Sequence, residues 1–121
     1  MAKVFLDTNF LIDALHRKPE RQIVDSLENH IAYVSALSFH IYCYVFNIKI
    51  PNEKISRIKE KFQIVDFSED VLTKSLQGPT SDFEDNIQLH SAAESDCTLF
   101  FTSDKSLLRL KSFGEILITQ P

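Results

Sequence analysis

The chain has 121 residues, 44% of them hydrophobic and 25% charged, a balance that suits a single folded domain and excludes a disordered chain. Seventeen acids against thirteen bases give a net charge of −4, which argues against nucleic-acid binding by bulk basicity but leaves room for binding through a recruited cation. Only Gly78 and Gly114 are glycines, so glycine-rich phosphate loops are excluded.

The N-terminus reaches Asp7 without a long apolar stretch, so it does not read as a secretion signal. Lys3–Leu6 predicts a short strand ended by that aspartate. Asn9–Leu15 carries Phe10, Leu11, Ala14 and Leu15 at helical spacing. Pro19 suits the first turn of a second helix bearing Ile23, Val24 and Leu27. Ile31–Val34 predicts a second strand. Ser38 can cap the next helix, which runs to about Asn47 and is apolar nearly all round, as expected of a helix buried on more than one side. After Pro51, Ile55, Ile58 and Phe62 form the apolar stripe of a charged surface helix.

Gln63–Phe67 predicts a third strand, and Ser68 caps a helix whose first turn carries Glu69 and Asp70. The run Gln77–Thr80 is a break. Ser81 and Glu84 fit a capping box opening a helix to about Ser95. Thr98–Thr102 is a continuous apolar run, the pattern of a parallel strand covered on both faces. Asp104 or Ser103 caps a short helix with Leu107, Leu108 and Leu110, and Glu115–Thr119 is a last strand. Strands alternating with helices predict one α/β domain over 1–121, a three-layer α/β/α sandwich around a mostly parallel sheet. Cys43 and Cys97 lie in apolar surroundings, which suits free thiols in a reducing compartment. No apolar run approaches the ~20 residues of a membrane span, so the expected location is the cytoplasm.

Parallel sheets take ligands outside the carboxyl ends of their strands. Two strands end there in an aspartate, Asp7 and Asp104. Asp85 begins the stripe continued by Leu89, Ala92 and Ala93, so it points toward the sheet, and Asp82 shares that edge. Carboxylates crowded at a core rim repel, and a divalent cation relieves them; oxygen donors suit Mg²⁺ or Mn²⁺. Taken singly, Asp7 and Asp104 are equally N-caps, Glu84 is the capping-box partner of Ser81, and Asp66 is an unsupported strand-end acid.

The segments VFLDTNFLIDAL, VSALSFH, SDFEDNIQLHSA and FFTSD, taken in order, resemble the PIN domain, the metal-dependent ribonuclease fold of VapC-type toxins. The resemblance covers nearly the whole chain. It implies that Asp7, Asp85 and Asp104 are three of the family's four acids and hold one or two Mg²⁺ or Mn²⁺ ions. The second acid, a Glu one turn after the Ser/Thr matched by Ser38, is replaced by Ile41, and Asp82 or His40 would have to stand in. The resemblance further implies that Asn9, Thr102 and Ser103 bond phosphate, water or the carboxylates, and that Lys105 follows an RNA backbone. A homodimer and an antitoxin partner are expected, with no membrane. The competing expectation is an impaired PIN-like module that binds RNA or protein without cleaving, and Ile41 is the feature favouring it.

Overall fold

The computed structural model describes residues 2–17 and 27–121. The expected helix at Pro19, Ile23 and Val24 lies outside the described residues. Strand β1 (Ala2–Leu6) leads into α1 (Thr8–Ile12), which runs on as a π-helical turn, Asp13–Arg17. Then follow β2 (His30–Ser35), α2 (Ala36–Val45), α3 (Glu53–Lys59), β3 (Gln63–Val65), α4 (Glu69–Ser75) and α5 (Phe83–Glu94). The chain closes with β4 (Leu99–Phe101), α6 (Lys105–Leu110), β5 (Ser112–Phe113) and β6 (Ile116–Thr119).

The six strands form one sheet in the order β3-β2-β1-β4-β6-β5. All neighbours pair in parallel except β5 with β6. The antiparallel pair is a hairpin that the sequence reading did not anticipate, turning at Gly114 with φ +60°, a conformation that glycine adopts without a Cβ penalty.

Alternation along the strands divides the core into two faces. Val4, Leu6 and Phe101 join α1, Tyr42 of α2 and Ile58 of α3 on one face. Phe5 and Phe100 join Leu89 and Ala92 of α5, Leu107 of α6 and the β6 residues Ile116 and Ile118 on the other. Phe5 and Phe100 stack across neighbouring strands with ring centroids 5.5 Å apart. This is the expected three-layer α/β/α sandwich with a mostly parallel sheet.

Local details correct the sequence reading. The cap of α2 is Ser35, which ends β2 in extended backbone and accepts a 3.1 Å bond from the Leu37 amide. Ser38 is already inside that helix and fully buried. Asp82, not Ser81, caps α5, accepting from the Asp85 amide at 2.9 Å, so the Ser81–Glu84 capping box does not form. A carboxylate at a helix N-terminus gains from the helix dipole as well as from the hydrogen bond, which favours Asp82 over a serine hydroxyl. Helix α2 is also not buried on several sides. Only Ser38 and Tyr42 are buried, while Tyr44 is 79% and Val45 57% exposed. On α5, Leu89 and Ala92 face the core as expected, but Ala93 is exposed.

Candidate active site

The topology makes one place on the sheet special. From β1 the chain steps outward to β2 and β3, then returns to the other side of β1 with β4. The carboxyl ends of β1 and β4 therefore flank the switch point, where adjacent connections diverge and leave a crevice. Leu6 pairs with Phe101, so the next residues, Asp7 and Thr102, emerge side by side.

Asp7 is 5% exposed. One carboxylate oxygen caps α1, accepting from the Phe10 amide at 2.7 Å. The other accepts a short hydrogen bond from the Thr102 hydroxyl. The same Thr102 oxygen accepts from the Asp104 amide at 3.0 Å. Thr102 is thus the hinge between two aspartates, and its own amide is fixed by the carbonyl of Thr119 on β6 at 3.1 Å. Asp104 caps α6, accepting from the amides of Ser106 at 2.7 Å and Leu107 at 3.2 Å. At Asp7 and Asp104 the helix cap follows the end of a parallel strand and so stands at the mouth of the crevice.

The third contribution comes from α5. Asp85, in its first turn, is half-buried, and its carboxyl is pushed up to about 6, first by burial and then by the charges of Asp82, Asp104, Glu84 and Asp7. Burial also raises Asp7, against the lowering effect of the Thr102 and Phe10 bonds, and Asp104 and Asp13 add to the rise. Glu84 is raised by desolvation, then by Asp82 and Asp7. Glu84 is therefore part of the same field of acids, rather than the capping-box residue expected from the sequence. Asp7, Asp82, Glu84, Asp85 and Asp104 share one electrostatic neighbourhood, and each offers oxygen donors. Among the described residues, however, no three His, Cys, Asp or Glu side chains already converge on one point as a metal cage would require. The acids are neighbours, not a closed coordination shell. Hard oxygen donors whose charges repel one another are the donor set that Mg²⁺ or Mn²⁺ accepts.

The remaining sequence candidates divide. Asn9 is exposed on α1 and does not cap it, since Asp7 does. Ser103 and Lys105 are exposed on either side of Asp104 at the crevice mouth. Asp66 is exposed beyond β3. Ile41 is half-buried and His40 exposed on α2.

Two groups of polar residues escaped the sequence reading. Asn86 is 3% exposed and makes four bonds: it accepts from the Thr80 amide and hydroxyl at 2.9 and 2.7 Å, and donates to the Ser75 and Thr80 carbonyls at 3.0 and 2.9 Å. It locks the loop that delivers Asp82 and Asp85. The second group is a buried chain: Thr8 bonds Ser38 at 2.8 Å, and the Gln88 amide donates to Ser38 at 3.4 Å. The available signal was spacing. Gln88 lies one turn beyond Asp85 on the same face of an otherwise core-facing stripe.

Fold and site together define a small α/β/α domain with aspartates gathered at the switch point of its sheet. A family model of the PIN domain matches residues 4–112, and the chain belongs to the PIN domain family. Solved structures of the same fold include VapBC2 from Rickettsia felis bound to a DNA fragment from its promoter (14% identity, TM-score 0.69, covering 98% of each chain). FitAcB from Neisseria gonorrhoeae matches with 18% identity and TM-score 0.64 over 97% of this chain and 96% of that one. VapC20 of Mycobacterium tuberculosis, a sarcin-ricin loop cleaving toxin, matches with 11% identity and TM-score 0.67 over 94% of this chain and 98% of that one. No curated protein matches the sequence. Among the described residues no helix is long and apolar enough to cross a membrane.

Proposed function

We propose that this chain is a divalent-metal-dependent ribonuclease of the VapC toxin type, working in the cytoplasm and restrained by an antitoxin protein. The observation that carries this reading is the hydrogen-bonded unit Asp7–Thr102–Asp104 at the switch point, with Asp85 entering the same field from α5. Asp7, Asp85 and Asp104 would hold Mg²⁺ or Mn²⁺. Asp82 would assist, although one of its oxygens is already engaged by the Asp85 amide. When bound, the cation activates a water and offsets charge on the scissile phosphate. The chain's own residues do the positioning. Thr102 fixes the rotamer of Asp7 and the backbone of Asp104, so both carboxylates present a set geometry. Ser103 and Asn9 offer neutral hydrogen bonds at the rim, and Lys105 meets the RNA backbone.

The partner reading is supported by the company the fold keeps, since VapBC and FitAcB structures share it. The exposed Tyr44 and Val45 of α2, with Ile50 at 79% exposure just beyond, suit a homodimer or antitoxin contact. A second reading is a PIN-like module that binds RNA or protein without cutting it. It is favoured by Ile41, an apolar side chain where the family's second acid is expected.

The deciding assay incubates the protein with mixed RNAs and Mn²⁺ or Mg²⁺ beside the Asp7→Asn variant. Asn caps a helix as well as Asp, so the variant keeps the α1 start while losing a charged ligand. Cleavage that needs the metal and disappears in the variant supports the nuclease. A folded protein that cuts no RNA at any metal concentration, yet retains RNA in a binding assay, selects the second reading.

A further inference from the structure

Helices α2 and α5 belong to opposite layers of the sandwich, since Tyr42 packs on one face of the sheet and Leu89 on the other. They are nonetheless joined at the carboxyl edge, where the Gln88 amide nitrogen donates to the Ser38 hydroxyl at 3.4 Å. Ser38 is fully buried, and its hydroxyl meets that of Thr8 at 2.8 Å. Thr8 directly follows Asp7. A row of three buried polar side chains therefore runs from α5 to the foot of the first aspartate. Gln88 donates to Ser38, either hydroxyl of the Ser38–Thr8 pair can donate to the other, and the row leaves one acceptor of Gln88 unused.

That acceptor is the Gln88 amide oxygen, which is buried and has no partner, in a residue only 2% exposed. A buried polar atom without a partner costs about 1–3 kcal/mol, so folded proteins seldom retain one that nothing uses. Gln88 stands one turn after Asp85 on the same face of α5, and its bonding partner Ser38 stands one turn before Ile41 on α2. The carboxamide thus links the face of α5 that carries the third acid to the turn of α2 that precedes the position where the second would be.

We propose that Gln88 is a positioning residue that takes over the task of the absent second carboxylate. Anchored through Ser38 and Thr8, its free oxygen would accept a hydrogen bond from the surroundings of the divalent cation that Asp7, Asp85 and Asp104 would hold. A neutral oxygen does this without adding a further negative charge to an already crowded field. This role rests on the metal-dependent reading of the site given above.

The test is Mn²⁺ affinity, measured by titration calorimetry and by the Mn²⁺-induced rise in melting temperature. The proteins compared are the wild type, Gln88→Met, Gln88→Glu and Ser38→Ala. Loss of a group that orients a metal's surroundings typically costs 10–100-fold in affinity, so Gln88→Met should weaken Mn²⁺ binding at least about tenfold. Gln88→Glu, which restores an oxygen acceptor, should recover wild-type affinity or exceed it. Ser38→Ala frees the carboxamide from its anchor and should fall between. If Gln88→Met does not fold, the ordering of the other two against wild type still decides. A wild type that binds Mn²⁺, with all folded variants binding equally well, overturns the role of Gln88 and leaves the nuclease reading standing. A wild type that binds no Mn²⁺ overturns that reading and the role together.

Discussion

Replacing Asp85 by asparagine removes a charge and almost no volume. Its carboxyl ordinarily titrates near 3.8 and in the folded protein titrates at about 6. The folded state therefore binds more protons than the unfolded chain between these values, and stability falls as pH rises through that window. The gap corresponds to about 3 kcal/mol for a fully isolated group. Asp85 is only half-buried, and solvent screening together with the pull of the α5 N-terminus on negative charge trims this to about 1 kcal/mol. Asp85→Asn should thus be the more stable protein at pH 7, by about 1 kcal/mol, or roughly 3–5 °C in melting temperature. Urea unfolding at pH 4, 5, 6 and 7 in the presence of EDTA measures it. The difference should be small at pH 4, grow through pH 5 and 6, and level off above that. With Mn²⁺ the order should reverse, because only the wild type would keep all three aspartates of the proposed site to gain from the cation. A variant that is less stable than wild type at pH 7 without metal, or an offset that does not change with pH, refutes the reasoning.

Thr102→Val should lose about 2 kcal/mol in urea unfolding, because the buried Asp7 carboxylate is left without its hydroxyl donor, while Thr102→Ser should keep most of that stability. The same Val variant should move the titration of Asp7, followed by NMR, further upward, since the Thr102 bond is a lowering influence. Asn86→Ala should cost about 2 kcal/mol and raise hydrogen exchange in the loop from Ser75 to Asp82, whose carbonyls and amide it holds. Mn²⁺ at a hundred times its dissociation constant should stabilise the wild type by about 2.7 kcal/mol, and chelation should return the melting temperature to its starting value.

Much of this molecule is legible in its sequence, for a physical reason. In a parallel sheet the strand interiors are uniformly apolar, so the first acid after each run marks both the strand end and the ligand-binding edge. Asp7 and Asp104 could be read on that basis, and so could the sandwich. Helix starts were less legible. Ser38 and Ser81 have the right chemistry to be caps, but a cap must also be in extended backbone. That condition fell to Ser35 at the end of β2 and to Asp82 beside the charged end of α5. The two-residue strand β5 carries no alternation long enough to detect. The bonds of Asn86 and Gln88 were hidden because their partners, Ser75, Thr80 and Ser38, are assigned by tertiary packing, not by spacing along α5.

The acid excess of the chain follows from the same geometry. Setting aside the four aspartates of this neighbourhood, Asp7, Asp82, Asp85 and Asp104, leaves thirteen acids and thirteen bases, so these four match the net charge of −4, with Glu84 beside them as a fifth acid. Three of the four aspartates are helix caps, each with an oxygen bonded to an amide of the helix it opens. Capping is what lets a repelling set persist in the folded chain, because each bond to a helix start returns about 1 kcal/mol against the repulsion. Asp85 alone has no such compensation from capping, and it is the acid with the largest upward shift toward neutrality. A cation entering the crevice would relieve the repulsion that, after burial, raises Asp85, so an acid that costs the empty fold stability would gain from binding.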